Sequence, residues 1–272
     1  MKLSLSEIST PGSSFRDDLA AYAAAGFDGI GIWEMKLGDD ETDLAAFRES
    51  GLRATNCVPS VPSILPNAVI EGPADVEERV ASICTSMHRL ARYEPESVLC
   101  LTGPAGELTE AEARRIVVDG LKRIAAAADE AGVRLGLEAI HESEREALTL
   151  VTTIPEALAL LDEAGLPRVG VMVDLWHVWD TPTIEDDLRR HVSRVSGLHV
   201  ADWFGDARQG RALPGQGVSL TRDLVTALSG AGWNGSVDVE IFGDAADPES
   251  LWSLPLEEAA RRAYEAAVGV LP

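Results

Sequence analysis

Four stretches carry residues suited to metal-assisted proton chemistry: "VRLGLEAIH" with Glu138 and His141, "VGVMVDLWHVWD" with Asp174 and His177, "VSGLHVAD" with His199, and "VDVEIF" with Glu240. In each, an aliphatic run gives way to an acid or an imidazole. Carboxylates and imidazole together make a hard, mostly oxygen donor set, suited to Mn2+ or Mg2+ and tolerant of Co2+ or Zn2+. Three carboxylates brought close would repel one another unless a cation neutralised them. Taken singly, an acid where a buried strand emerges is also a good N-cap for the next helix. Which reading holds depends on the elements that carry the four residues.

Short β-rich runs occur at 2–6, 29–33, 52–58, 97–103, 133–141, 169–177, 195–202 and 237–242, and helix-length segments separate them. Several of those segments end on a glycine suited to the position just past a helix. Eight β-α units in 272 residues match the (β/α)8 TIM barrel, typically about 250 residues long. No linker or composition shift divides the chain, so the expectation is one TIM-barrel domain over residues 1–272. A doubly wound sheet would want a glycine-rich phosphate fingerprint in its first turn, and "SLSEISTPGSSF" has none.

Barrel strands alternate between interior and helix layer, and catalytic groups sit at their carboxyl ends. Leu135, Leu137, Val171, Val173, Leu198 and Val200 share the helix-facing parity. That leaves Glu138, Asp174 and His199 pointing inward. In the last strand Val237, Val239 and Ile241 leave Asp238 and Glu240 inside. Four successive strands therefore aim a ligand-type residue inward near the same end; four unrelated caps are the alternative.

Composition narrows the partners. A formal net charge of −22 repels phosphate backbones, so nucleic acid is not an expected partner. No window approaches the roughly 18 consecutive apolar residues of a membrane span, and a soluble, cytoplasmic protein is expected. Cys57, Cys84 and Cys100 have neither disulfide nor zinc-knuckle spacing and read as small buried hydrophobes. A homo-oligomer is compatible with the sequence, which does not specify one.

"LGLEAIH", "VMVDLWHVWD", "GLHVADW", "RALPGQG" and "DVEIF", in that order, resemble the sugar isomerase/epimerase family with the xylose-isomerase-like barrel. Its members include ketose 3-epimerases, hydroxypyruvate isomerases and inosose dehydratases. The resemblance implies one divalent metal, usually manganese, held by Glu138, Asp174, His199 and Glu240. Glu138 and Glu240 would be the acid/base pair, and His177 and Arg211 would hold substrate oxygens. The segment "WFGDARQG" before Arg211 is longer than in the 3-epimerase pattern. Many relatives also carry an inward glutamate in a "GIELW"-like motif where this chain reads "GIGIW", with Gly31. That change predicts a cavity for a bulkier or less polar substrate than a simple hexulose, such as a modified sugar or a cyclic polyol ketone.

Other residues fall near the strand ends. His141 is within reach of substrate or of solvent. Trp33, Trp176, Trp179 and Trp203 could stack on a sugar face or pack loops. "PGQG" at 214–217 could cradle an anion or simply turn.

Moving a carbonyl along a sugar, or inverting the carbon beside it, removes a weakly acidic C–H proton. A metal-stabilised enediolate with a glutamate on each side suits that task. The expected function is thus a metal-dependent isomerase or epimerase of a carbohydrate or polyol ketone. The same intermediate can expel a β-leaving group, which makes a dehydratase or lyase the alternative. A DNA-repair endonuclease would want several metals and a basic face, and five histidines with a strong acidic balance argue against it. A non-catalytic binding protein would not need both glutamates.

Overall fold

The computed structural model describes residues 1–205 and 210–272. Its strands are β1 (Lys2–Ser6), β2 (Gly29–Gly31), β3 (Arg53–Ala54), β4 (Asn56–Cys57), β5 (Ser97–Cys100), β6 (Leu135–Glu138), β7 (Gly170–Asp174), β8 (Val195–Val200) and β9 (Ser236–Val239). All pairs are parallel, in the order β3-β2-β1-β9-β8-β7-β6-β5-β4.

β3 and β4 are the two halves of the expected third strand. Thr55 between them donates its N–H to Ile30 O (3.0 Å), and its carbonyl accepts from Ser97 N (3.1 Å). These bonds close the ring into an eight-stranded barrel. The strand is split because staggered strands change partner along their length. Its lower half pairs with β2 and its upper half with β5.

Helices alternate with the strands and pack outside them. The helix Glu110–Ala131 starts on a capping box in which Thr109 and Glu112 satisfy each other's backbone N–H, and it stops at Gly132, whose φ is +73°. It buries Val117, Leu121 and Ile124. Those side chains join Leu135, Leu137, Val171, Leu198 and Val237 in one helix-to-barrel core. Each such aliphatic side chain stabilises the fold by about 1.5–3 kcal/mol when fully buried. The parity read from the sequence is therefore the observed one.

Several strands are shorter than the runs that announced them, because the chain turns into the barrel mouth. After Asp174, residues Leu175–Val178 form a helical turn instead of extending the strand as expected. No helix among the described residues is long and apolar enough to cross a membrane.

Candidate metal centre

Register and parity bring three of the four predicted ligands together. β6, β7 and β8 are adjacent, with Asp174 beside His199 in the ladder. Ligand atoms of Glu138, Asp174 and His199 all lie within 4.8 Å of one another. Asp174 and His199 have no exposed surface, and Glu138 is buried.

Asp174 serves as the N-cap and also stands among the three candidate ligands. One carboxylate oxygen, Oδ1, accepts the N–H of Trp176 (2.9 Å) and caps the helical turn. The other, Oδ2, accepts from Arg211 Nη1 at 2.6 Å.

Glu240 stands beside the trio and is engaged elsewhere. Its Oε2 lies 3.6 Å from His199 Nδ1 but takes Arg211 Nη1 at 3.1 Å, while Oε1 accepts from Ser6 Oγ at 3.5 Å. Arg211 lines the cavity, where the resemblance has it hold substrate, and it is also engaged with the acids of the centre. Its guanidinium ties Asp174 to Glu240 and lies between two rings, with Cζ 4.8 Å from the Trp176 centroid and 4.6 Å from that of Phe242. Arg211 is itself placed by its backbone N–H, which donates to Phe242 O (2.8 Å). Residues 206–209, within the longer segment before it, lie outside the described residues.

His199 sits among acids without a hydrogen bond to any of them. Nδ1 is 3.7 Å from Glu138 Oε1 and 3.6 Å from Glu240 Oε2, and Nε2 is 3.8 Å from Asp238 Oδ2. These separations exceed ordinary hydrogen-bond lengths. Both ring nitrogens and Glu138 Oε1 are buried without partners. Burial disfavours the imidazolium, yet the carboxylates of Glu240, Glu138 and Asp238 outweigh it and push His199 up to about 10. Burial, reinforced by Asp174 and Glu240, raises Glu138 to about 7 against the opposing pull of His199. Asp174 is lowered: burial works against that, but Arg211, His177 and His199 prevail. Orphaned donor atoms, close carboxylates and a demand for positive charge fit a divalent cation here.

The helical turn explains the D-x-x-H spacing. It places His177 Nε2 3.6 Å from Asp174 Oδ2 and 3.2 Å from Arg211 Nη2. His177 Nδ1 faces the backbone N–H of His141 (3.1 Å) and Nε2 faces the donor-only Arg211 Nη2, so the neutral ring accepts one of these bonds and carries its hydrogen on the other nitrogen. Burial keeps the ring neutral by depressing it to about 3.

A cavity of about 690 Å3 opens over this centre. Glu138, His177, Arg211 and Glu240 reach it, as does Trp33. The His141 ring is turned instead to Ser143 Oγ (2.8 Å) and Asp180 Oδ2 (3.2 Å), so its contribution is the backbone bond to His177. Trp176 and Trp203 line the cavity but stack on each other, 4.5 Å apart and 9° from parallel. "PGQG" is a turn, with Gly217 N–H donating to Asp202 Oδ2 (3.0 Å).

Gly31 does not widen the mouth as the sequence led us to expect. A Cβ there would lie 2.5 Å from Asp238 Oδ2 and 3.0 Å from Asn56 O, so the space beside it is occupied by a buried carboxylate. Asp238 also accepts from Thr55 Oγ1 (3.0 Å), and burial raises it to about 7. Glu34, the acid three residues after Gly31, serves the loop, accepting Ser60 N–H (2.8 Å) and Ser86 Oγ (2.6 Å). The roomy part of the cavity comes from aliphatic residues the sequence reading passed over, among them Ile8, Val58, Leu99 and Leu101. Their signal was inward parity at strand ends without a polar atom.

The sequence profile of the xylose isomerase-like TIM barrel matches residues 19–266. The chain belongs to that family. Among its relatives is a Streptomyces coelicolor protein with a provisional hydroxypyruvate isomerase name, 26% identical across 89% of this chain and 91% of that one. A 3-dehydroshikimate dehydratase from Pseudomonas putida is 23% identical over 90% of this chain and 38% of its own length. The solved structure of IolI protein with a bound zinc atom superposes with a TM-score of 0.81 at 22% identity, covering 100% of this chain and 98% of that one. The last likeness concerns the fold.

Proposed function

We propose that the protein is a divalent-metal-dependent isomerase or epimerase of a carbohydrate or related polyol ketone. The observation that carries this reading is the Glu138–Asp174–His199 trio, within 4.8 Å beside a cavity that Glu138 lines, with Glu138 Oε1 and both His199 ring nitrogens buried and satisfied by no protein group. Glu138, Asp174 and His199 would hold the ion, with Glu240 as the fourth ligand once its carboxylate turns from Arg211. Manganese best suits the mostly oxygen set.

The bound ion would supply Lewis acidity toward the substrate carbonyl and its neighbouring hydroxyl. His177, a neutral imidazole lining the cavity, orients a substrate oxygen. Glu138 and Glu240, on β6 and just after β9, approach the reacting carbons from two sides. One takes the proton from the carbon beside the carbonyl, leaving an enediolate. The other returns a proton, to the adjacent carbon for isomerisation or to the opposite face for epimerisation. Positive charge from Arg211 helps hold Asp174 below the usual carboxylate range and pairs with Glu240. The hydroxypyruvate isomerase name of a full-length relative supports this class.

A dehydratase is the second reading, supported by the dehydratase relative. It needs the same proton removal, followed by loss of hydroxide from the next carbon.

A panel of ketoses and cyclic polyol ketones incubated in D2O with the metal-loaded protein tests both. Deuterium should enter beside the carbonyl. A product of unchanged formula apart from label identifies isomerisation or epimerisation, and loss of water identifies dehydration. Turnover with no solvent deuterium in substrate or product would overturn the two-glutamate scheme.

A further inference from the structure

We infer that the substrate carries a flat apolar group at the end away from its reacting carbons, an inference that rests on the α-hydroxyketone reading above. The cavity mouth is divided. Its β6–β9 side presents Glu138, His177, Arg211 and Glu240. Ile8, Val58, Leu99 and Leu101, on or past β1, β4 and β5, line the rest together with Ile140 past β6, each 3–7% exposed. Together with Met172 they form an apolar cluster distinct from the core under the helices.

None of these five side chains has a donor or acceptor. A polyol laid against them would surrender bonds to water and regain none, which costs roughly tenfold or more in affinity per stranded hydroxyl. An aromatic or alicyclic group would gain affinity there by leaving water. Farther from the ionic floor the same side continues with Ile70 and Leu148, and Trp33 and Trp252 add ring surface at the rim. The volume, about 690 Å3, falls within the range of about 300–1,000 Å3 that takes drug-sized ligands.

The cluster is continuous with the ionic floor, so one molecule must span both. Its polar head, a carbonyl with a neighbouring hydroxyl, meets Glu138, His177 and Glu240. Its apolar body lies over Leu99, Leu101 and Ile140. The substrate class is accordingly an α-hydroxyketone of a sugar or polyol bearing an aryl or alicyclic substituent, not a free ketose and not an oligosaccharide.

The test compares two ketones with the same head, ethyl hydroxymethyl ketone and phenethyl hydroxymethyl ketone, on the full metal-loaded chain. The phenyl ring is insulated from the carbonyl by methylenes, so the acidity of the reacting C–H is matched. Calorimetric titration should show the phenethyl compound binding about 10- to 100-fold more tightly, the range for burying one such ring. Ile70→Asp and Leu148→Asp, half-buried rim positions, should each pull that ratio toward one. A wild-type ratio near one, or a ratio unchanged in both variants, overturns the inference.

Deuterium exchange at the carbinol carbon is followed by proton NMR on the same samples. A phenyl preference in binding with no exchange of either ketone refutes the enediolate reading while upholding the apolar body. Equal exchange and equal binding of the two ketones upholds the enediolate reading and refutes the apolar body.

Discussion

Arg211 is the group whose removal most directly tests the charge logic of the centre. Its guanidinium is buried, bridges Asp174 at 2.6 Å and Glu240 at 3.1 Å, and lies between Trp176 and Phe242. Arg211→Met keeps an unbranched apolar stem between the rings and deletes the charge. Breaking a buried pair by removing one partner costs about 3–5 kcal/mol, because the remaining carboxylates stay buried and unpaired. At about 2–4 °C per kcal/mol for a chain near this size, the metal-free variant should melt about 6–20 °C below the metal-free parent. Saturating Mn2+ supplies positive charge to the same carboxylates and should shrink the gap. The assay is a four-corner set of thermal melts, parent and variant, with and without metal. Equal melting of the two metal-free proteins would refute the view that Arg211 neutralises Asp174 and Glu240. A gap that metal leaves untouched would refute the view that ion and arginine share those oxygens.

Elemental analysis should find about one Mn2+-class ion per chain, lost when Asp174→Ala and His199→Ala are combined; two tight ions, or undiminished content in the double variant, would contradict the site. Glu240→Gln keeps an oxygen donor and the fold but should lower turnover at least about 10²- to 10⁴-fold, measured as initial rate on whichever ketone the panel identifies. Undiminished turnover in that variant removes Glu240 from the acid/base pair. Gly31→Ala must move Asp238 or Asn56, since its Cβ would sit 2.5 Å from one and 3.0 Å from the other, and should cost about 1–3 kcal/mol on denaturant unfolding. An unchanged midpoint there would show that the Asp238 layer yields freely.

The barrel was legible because its β-α unit is repeated eight times, and helix-facing aliphatics at every second position of the last four strands leave little freedom about which of their residues point inward. Glu138, Asp174 and His199 followed from that parity alone, and the register delivers them side by side. Parity does not report rotamers, and the Glu240 carboxylate, though inward, is drawn to Arg211. Nor does it report what fills a gap. Gly31 reads as a missing substrate contact in a one-dimensional comparison, whereas in space a neighbouring strand's Asp238 fills the position. The apolar half of the mouth was hidden for a related reason. Leu99 and Leu101 look like ordinary core residues in sequence, and only the closed ring shows that they face the cavity and not the helices.

Two of the side chains around the centre are aimed by backbone bonds as well as by Arg211. Trp176 N–H holds Asp174 Oδ1, which leaves Oδ2 as the oxygen that Arg211 takes and that a cation would share. His141 N–H holds His177 Nδ1 and fixes the ring beside the cavity. Both bonds are fixed by the chain's course from strand into turn, so neither depends on ligand or metal to form. Such preorganisation lets a site stabilise developing charge without reorganising at the moment of reaction. His199 behaves differently: neither ring nitrogen has a hydrogen bond, and its nearest acids stand 3.6–3.8 Å away. Those unpartnered ring nitrogens, set beside buried carboxylates, are the part of the centre that a cation would complete.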